Sequence, residues 1–457
     1  MNPKNHSLLI KDKKMLEQTA LPIITVSASF KEDLKGFHQD RENDRLRDMV
    51  FSRAHYSMAL GAAVEAWGEK IDPKKAWLVD PTNHVSEKEW SSIQLTDLIG
   101  RTIARFPILK TAKDLVDKFG RSKLPILDSI APATKFLCQN IDRPILSFHI
   151  ATGNILAENG KEVIEMITDP HVRADYVINA ARPNMRFLVF DEATKKEFFE
   201  VALKEGIKIP KDQLKDKVIV TGPPVDPRII NSAKKKTAWT QKSDRPLRIL
   251  ISTGGLGTNK VEIKTILNQL LPELKKNKNL PDFELLYYAG THRDHQQMAV
   301  KLAKKYHVRH QTINPRDPAD FENAGKLDEK AFLQHQAGRA KFRIIYHPQI
   351  IDANELLIRH GFPWADVFMS KPSGDMAYDA ALSGAALLTL KEWGEWEHNV
   401  RQVFEKHGVA QKAEGDKIVL QLQNLIANDW VAEAMANSKK LPAIFYQGMK
   451  NIVAAAG

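Results

Sequence analysis

The chain has 457 residues, of which 43% are hydrophobic and 27% charged, the size and composition of a globular protein with two domains of about 200 residues each. No apolar run approaches the roughly 18 residues that cross a bilayer, and the single cysteine, Cys138, excludes an intrachain disulfide and fits a reducing cytoplasm. The formal net charge of +11 suits nucleic acid, an anionic membrane surface or phosphorylated substrates. Because zinc-ligand spacing, an aromatic RNA-binding signature and a long Lys/Arg block are lacking, we expect no nucleic-acid partner.

The first half of the chain predicts a parallel sheet covered by helices. Residues 1–20 contain lysines without a sustained apolar core, so we predict a flexible lead there and no secretory signal. Short apolar runs then alternate with helical patterns such as 55–67 and 192–206. The runs that predict strands are 21–29, 75–81, 143–149, 162–169, 186–191 and 217–222. We therefore predict an N-terminal Rossmann-like domain over 21–225.

The second half repeats this alternation after a break. Residues 226–246 are rich in Pro, Lys, Ser and Thr without a clear period, so we predict a linker there. Strands are then predicted at 247–255, 283–290, 342–347, 365–370 and 385–390. They define a second Rossmann-like domain over 247–425, followed by C-terminal helices over 426–457 that we expect to pack back on the N-terminal domain. The fold class is α/β, with two doubly wound domains that face each other across a cleft and ligands at the carboxyl ends of the strands.

The first candidate site segment is the glycine-rich stretch "STGGLGTNK", residues 252–260, directly after a predicted strand. Glycines let the backbone approach a ligand closely, and the amides at a following helix start favour an anion. Thr253, Gly254, Gly255 and Gly257 are the candidates in it. A tight strand-to-helix turn without a ligand is the alternative interpretation.

The second segment, "KPSGDMAYDAALSGAALL", follows the predicted strand 365–370. Lys371 places a full positive charge beside the free amides of a helix start that Ser373 and Gly374 introduce. Asp379 lies farther along this helix, where a carboxylate could accept hydrogen bonds from a ribose diol. A surface lysine and a solvated aspartate are the alternative.

The third segment is "WGEWEHN", after the predicted strand 385–390. Its polar side chains can hydrogen-bond hydroxyl groups, and its tryptophans can stack on a sugar or a base. The residues concerned are Trp393, Glu395, Trp396, Glu397, His398 and Asn399. An amphipathic turn with an aromatic ring packed on the core is the alternative.

The order and spacing of these three segments resemble the donor half of family 28 glycosyltransferases, which have the GT-B fold. That family includes monogalactosyldiacylglycerol synthases, processive diacylglycerol glucosyltransferases and the N-acetylglucosaminyltransferase of peptidoglycan lipid intermediates. Its Lys-Pro-Gly-Gly, four residues, Glu-Ala motif is matched by Lys371-Pro372-Ser373-Gly374 and Asp379-Ala380, and the resemblance assigns ribose binding to Asp379. Its Pro-Gly-Gln-Glu, two residues, Asn motif touches the transferred sugar. The matching positions are Trp393, Gly394, Glu395, Trp396 and Asn399, so Glu395-Trp396 replaces Gln-Glu.

The N-terminal half matches the same family more loosely. "RAHYSMALGAAVEAW" is similar to its Gly-His helix start, which implies that His55 is the catalytic base at the acceptor site. "EMITDPH" is similar to a Thr-Asp-x-His stretch that contributes Asp169, the second candidate base, and His171, while "RPILSFH" contributes His149. The chain departs from the pattern before His55, where about twenty polar residues and Arg53-Ala54 replace a short glycine loop.

The resemblance implies an inverting, metal-independent glycosyltransferase without a cofactor. Its donor is a UDP-sugar carrying a hexose or N-acetylhexosamine, and its acceptor is a lipid or lipid-linked hydroxyl. The basic charge suits docking on an anionic membrane, so we expect a cytoplasmic protein that binds the inner face of the membrane peripherally. Two other classes remain open: a nucleotide-sugar epimerase of the same fold, and a non-catalytic binder of glycan or nucleic acid.

Overall fold

The structure, a computed structural model, divides into two compact units. It describes residues 3–29, 49–50, 53–85, 125–255, 257–276, 279–313, 340–348 and 350–457, so most of the polar insertion before His55 lies outside the described residues. Unit 1 comprises Met1–Asp226 and Ala443–Gly457, and unit 2 comprises Pro227–Pro442. Each unit is built around a parallel sheet, which confirms the predicted α/β class with two Rossmann-like domains.

Unit 1 contains a six-stranded parallel sheet in the order β4-β1-β5-β6-β7-β8. Strands β1, β4 and β6 are buried along their whole length, as expected for a sheet with helices on both faces. The strands of unit 1 are β1 (Leu21–Ile24), β2 (Ala28–Ser29), β3 (Met49–Val50), β4 (Ala76–Val79), β5 (Ile145–Ser147), β6 (Val163–Met166), β7 (Met185–Val189) and β8 (Val218–Val220), of which β2 and β3 form a separate antiparallel pair. Its helices that precede unit 2 in the chain are α1 (Pro3–Gln18), α2 (Arg53–Trp67), α3 (Pro125–Leu137), α4 (Ile150–Glu158), α5 (Ala174–Val177), α6 (Glu192–Lys204) and α7 (Leu214–Lys217), with a 3-10 turn at Pro81–His84.

The N-terminal segment is a packed helix, and the prediction of a flexible lead over 1–20 is wrong. Leu9 and Leu16 lie two turns apart on one face of α1, and both are buried in the unit 1 core. Asp12 accepts a hydrogen bond from the Trp77 indole at 3.0 Å, which ties the helix to β4. The many lysines conceal this apolar stripe in the sequence.

Unit 2 contains a seven-stranded parallel sheet in the order β11-β12-β10-β9-β13-β14-β15. Its strands are β9 (Leu247–Ser252), β10 (Phe283–Gly290), β11 (His310–Ile313), β12 (Phe342–Tyr346), β13 (Val367–Ser370), β14 (Ala386–Thr389) and β15 (Ala410–Lys412). Its helices are α8 (Pro227–Lys235), α9 (Lys260–Lys276), α10 (Arg293–Lys305), α11 (Ile350–His360), α12 (Met376–Leu382), α13 (Glu395–Lys406), α14 (Ile418–Ala427) and α15 (Trp430–Ser438), with a 3-10 turn at Gly415–Lys417. The core lies between the sheet and these helices, and it includes Ile249, Leu285 and Leu388, which are fully buried.

The segment predicted as a linker, 226–246, is instead a folded part of unit 2. It begins with α8, for which Pro227 provides the first helical residue. The Arg228 guanidinium donates two 2.9 Å hydrogen bonds to the Glu355 carboxylate. The Lys236 ammonium donates to the carbonyl oxygens of Phe362 and Ala365, each at 2.7 Å. These polar contacts attach the segment to unit 2, although its sequence has no apolar period that would predict a folded segment.

The last helix of the chain, α16 (Ala443–Ala456), packs on α2 within unit 1, whereas α14 and α15 belong to unit 2. Its contact with the segment after β8 is close, because a Cβ added to Gly448 would collide with the carbonyl oxygen of Pro223. Asn451 donates a 2.9 Å hydrogen bond to the Thr221 carbonyl oxygen nearby.

Among the helices of the described residues, none combines the length and apolarity needed to cross a membrane.

Candidate functional site

The candidate site of unit 2 lies where the strand order of its sheet reverses. β9 pairs with β10 on one side and with β13 on the other. In doubly wound sheets, ligands bind at the carboxyl ends of the strands beside this reversal. The two loops that leave these strand ends contain the glycine-rich segment and Lys371, so the topology places two of the predicted segments side by side.

The two segments meet at Gly254, on the side where any other residue would carry its Cβ atom; this side is called the face of Gly254 below. The position that a Cβ of Gly254 would occupy lies 3.2 Å from Oγ1 of Thr258 and 3.7 Å from Cε of Lys371. Thr258 is only 6% exposed, and its hydroxyl has no hydrogen-bond partner among the described residues. A buried, unpaired hydroxyl is costly, so a ligand atom that accepts its hydrogen bond would be stabilising. An anionic oxygen beside Lys371 meets that requirement.

Lys371 is itself held by a buried carboxylate. Its Nζ lies 2.5 Å from Oε1 of Glu397, which is fully buried. The other oxygen of Glu397 accepts a 2.6 Å hydrogen bond from the Trp393 amide. The Trp396 ring centroid lies 6.0 Å from the same Nζ. An ammonium has three donors, so Lys371 can keep this ion pair and still contact an anion.

The remaining residues of the second segment are used mainly within their own loop. The Ser373 hydroxyl donates to Asp375 at 2.6 Å and accepts from the Met376 amide at 3.2 Å, so it stabilises the start of α12. Gly374 is buried, and Asp379 lies within α12 with 4% of its surface exposed. The predicted ribose contact of Asp379 stays a prediction.

The third segment forms the first turns of α13. Gly394 precedes the helix, and a Cβ there would lie 3.1 Å from the Trp396 ring, so a glycine permits the close approach of the indole. Glu395 and Asn399 are exposed. His398 contacts Arg401 through a 2.7 Å hydrogen bond. Glu397, which the sequence suggested as a hydroxyl ligand, is instead the partner of Lys371.

A side-chain link joins the loop after β9 to the loop after β14. Nδ2 of Asn259 donates to Glu262 at 2.8 Å and to the Lys391 carbonyl oxygen at 3.0 Å. The Lys391 amide donates to the same Glu262 carboxylate. Together with the contacts of Lys371, this link brings all three predicted segments of unit 2 to one end of the sheet.

Two histidines that the sequence analysis did not select lie beneath the glycine-rich loop. Nε2 of His292 lies 3.0 Å from the Gly255 carbonyl oxygen, and Nε2 of His295 lies 3.1 Å from the Gly257 carbonyl oxygen. Both side chains are buried. The signal in the sequence was the stretch "THRDH", which directly follows β10 and so has the strand-end placement used for the other segments.

In unit 1, the structure brings His55 and His149 together. Their ring centroids are 4.9 Å apart in an edge-to-face arrangement. His149 follows β5, and its Nδ1 accepts a 3.2 Å hydrogen bond from the Ala151 amide at the start of α4. That bond requires an unprotonated Nδ1, so the neutral ring carries its proton on Nε2.

The other two predicted residues of unit 1 have local partners. Asp169 lies 3.4 Å from the Arg173 guanidinium, and His171 lies 2.7 Å from the Glu197 carboxylate. Both follow β6, the strand next to β5 in the sheet.

A buried carboxyl group that the sequence analysis missed lies on β6. Glu165 is fully buried, and neither of its carboxyl oxygens has a hydrogen-bond partner among the described residues. A Cβ added to Gly153 of α4 would collide with it. Burial raises the pKa of Glu165 well above its usual value and so favours the protonated carboxyl group.

Within the described residues, no group of three or more His, Cys, Asp or Glu side chains has an arrangement that could hold a metal ion.

A family model described as a domain of unknown function (DUF6938) matches residues 214–380. This match extends from α7 to α12 and includes the glycine-rich loop, Lys371 and Asp379. No curated protein matches the chain.

Several solved structures are similar to the chain at low identity. An alpha,alpha-trehalose-phosphate synthase (UDP-forming) from Burkholderia vietnamiensis is 12% identical over 84% of this chain and 88% of its own, with a TM-score of 0.47. MurG from Acinetobacter baumannii is 12% identical over 95% and 99% of the two chains, with a TM-score of 0.43. Os79 from O. sativa, solved with UDP, is 10% identical over 95% and 99%, with a TM-score of 0.47. At these values the similarities identify no function, and the fold class rests on the two sheets themselves.

Proposed function

We propose that the chain is a GT-B glycosyltransferase whose unit 2 binds the diphosphate of a nucleotide-sugar donor. The observation that carries this proposal is the face of Gly254, which is bordered by the unpaired hydroxyl of Thr258 and by the Lys371 side chain. A diphosphate oxygen placed there would accept from the hydroxyl and be attracted by the ammonium. The motif resemblance of the glycine-rich loop and the Lys371–Asp379 segment supports the same assignment.

The chemistry follows from what these groups can do. In glycosyl transfer the leaving diphosphate gains negative charge as the bond to the anomeric carbon breaks. Groups fixed in position stabilise that charge without reorganisation. Lys371, oriented by Glu397, and Thr258 supply a cation and a hydroxyl donor, so the proposal requires no metal ion. Asp379 would bind the ribose of a UDP donor, as the family resemblance implies.

The acceptor half of the proposal depends on unit 1. An acceptor hydroxyl must lose its proton as it attacks, and His55 is our first candidate for the base, with Asp169 as the second. The contact between His55 and His149 supports this choice, because the neighbouring ring fixes the orientation of His55. Direct displacement would invert the anomeric centre, and a lipid or lipid-linked hydroxyl is the acceptor class implied by the resemblance.

The donor assignment is tested by isothermal titration with UDP and with UDP-sugars. We expect UDP to bind the wild-type protein, and both Lys371→Met and Asp379→Asn to weaken it at least tenfold. Asp416→Asn is the matched control, because Asp416 is exposed in the same unit. Failure of the wild-type protein to bind any nucleotide or nucleotide-sugar would refute the proposal.

Transfer itself is tested by UDP release from a UDP-sugar in the presence of a membrane lipid extract. We expect release that depends on the extract and is lost in His55→Ala. Conversion of the sugar without an acceptor would instead identify an epimerase. Sedimentation with phosphatidylserine vesicles at low salt tests the membrane contact, and the absence of co-sedimentation would remove it from the proposal.

A further inference from the structure

The glycine-rich loop of unit 2 is held from below by the segment that follows β10. His292 immediately precedes α10, and His295 lies in its first turn. Their Nε2 atoms bind two carbonyl oxygens of the loop, those of Gly255 and Gly257. His295 is fully buried and His292 is 6% exposed, so water does not compete freely for these bonds. The loop is therefore fixed at two peptide groups by two side chains of another segment.

The carbonyl partners show where one proton lies on each ring. A carbonyl oxygen only accepts hydrogen bonds, so each Nε2 must carry a proton. Nδ1 of His295 lies 2.5 Å from the Tyr287 hydroxyl on β10. Burial raises the pKa of Tyr287 well above its usual value, so this hydroxyl stays protonated and can donate to Nδ1. The resulting chain of donors runs from Tyr287 through His295 to the Gly257 carbonyl.

The direction of a carbonyl fixes the direction of the amide in the same peptide group. The described residues contain no cis peptide bond, and in a trans peptide the carbonyl and the amide point to opposite sides. The Gly257 carbonyl points to His295, so the amide of Thr258 points away from α10. Gly257 adopts a φ of +66°, a conformation that suits glycine and turns the chain sharply at this point. The orientation of Thr258, whose hydroxyl borders Gly254, thus depends on this peptide.

We infer that His292 and His295 are positioning residues for the diphosphate subsite. They orient the peptides of the glycine-rich loop so that Thr258 presents its donors beside Lys371. This inference rests on the proposed function, since it assigns these histidines a task at the same subsite. It extends the site to a second layer of residues that no sequence motif identified.

The test compares variants that remove or retain the donor at Nε2. His292→Leu removes it, whereas His292→Gln places an amide NH₂ near the same position. His295→Leu and His295→Gln form the second pair, and His307→Asn is the control, since His307 is exposed just beyond the opposite end of α10. Isothermal titration with UDP, uridine and inorganic pyrophosphate gives the affinities, and thermal unfolding shows that each variant is folded.

A positioning role predicts a selective effect. Each leucine variant should bind UDP and pyrophosphate roughly tenfold or more weakly, because the loop would lose one hydrogen bond to the anionic diphosphate. Its affinity for uridine should stay unchanged. Each glutamine variant should recover most of the lost affinity. Equal losses for UDP and uridine, or a folded leucine variant with wild-type affinity for UDP, would overturn the inference.

The positioning role and the nucleotide site can fail separately. Absence of UDP binding by the wild-type protein would refute both, whereas wild-type binding that the histidine variants leave intact would refute the positioning role alone. Should neither leucine variant fold, His292→Asn decides the matter, because its shorter amide cannot reach the Gly255 carbonyl. It should then bind UDP as weakly as expected for the leucine variant, and wild-type affinity would contradict the role.

Discussion

Replacement of Gly254 by alanine separates ligand binding from stability. The added methyl group would lie 3.2 Å from Oγ1 of Thr258 and 3.7 Å from Cε of Lys371. The first distance requires a shift of a few tenths of an ångström, and the second is an ordinary van der Waals contact. The backbone of Gly254 lies outside the left-handed region, so alanine introduces no strain there. The methyl group instead fills the space assigned to a diphosphate oxygen.

The expected magnitudes differ widely between the two measurements. Alanine restricts the unfolded chain and so offsets part of the packing cost, which leaves the free energy of unfolding within about 1 kcal/mol of wild type. Exclusion of the anion removes its hydrogen bond to Thr258 and its contact with Lys371. Hydrogen bonds to charged groups contribute about 1.5–3 kcal/mol each, so the loss of even one of them should lower the affinity for UDP by roughly 10- to 150-fold.

Isothermal titration with UDP and chemical denaturation test this prediction on the same preparations. Gly415→Ala is the matched control, because its methyl group would lie at a similar distance, 3.3 Å, from Cγ of Glu262 in the same unit. We expect this variant to retain both stability and affinity. If Gly254→Ala binds UDP as tightly as wild type, no anion occupies that face of Gly254.

Three further substitutions probe the buried groups. Glu397→Gln should lower the free energy of unfolding by about 2 kcal/mol, since it removes the ion pair with Lys371, and a double-mutant cycle of the two residues should show coupling; additive effects would contradict the pairing. The pKa of Glu165 is raised in the folded state, so this group contributes stability that is complete below the unfolded pKa of about 4.3 and is lost as pH rises through the folded pKa. The Tm of Glu165→Gln relative to that of wild type should therefore fall on acidification from pH 7.5 to 4.5. A Tm difference that does not change with pH would refute the raised pKa. Gly448→Ala should lower the free energy of unfolding by about 1–3 kcal/mol or more, because its Cβ meets a backbone oxygen that cannot easily move. Lys450→Ala, at an exposed position of the same helix, should leave the free energy of unfolding in denaturant titration nearly unchanged. Equal stability of the two variants would contradict the packing of α16.

The sequence predicted the two sheets because their central strands are nearly continuous apolar runs. β9 and β13, for example, are buried along almost their entire length, which is typical of parallel strands covered on both faces. The two edge strands of unit 2 were missed, since β11 and β15 are short and partly polar. Helix α1 was missed as well, because its burial depends on contacts such as that between Asp12 and Trp77, which are distant in sequence.

The candidate site was predicted in part. Lys371 and the glycines were selected because they directly follow strands, a placement that sequence patterns can recognise. The roles of Thr258, His292 and Glu397 depend on burial and on contacts between separate loops. The sequence contains 15 histidines, and although His292 and His295 follow a strand, nothing in the sequence shows that they bind loop carbonyls. Such assignments require three-dimensional distances.

A crystal structure of the protein with bound UDP would show directly whether the diphosphate binds at Gly254. We expect a diphosphate oxygen within hydrogen-bond distance of Thr258 Oγ1 and of Lys371 Nζ, on the face of Gly254. UDP bound elsewhere, or no UDP at a concentration that saturates binding in solution, would contradict it.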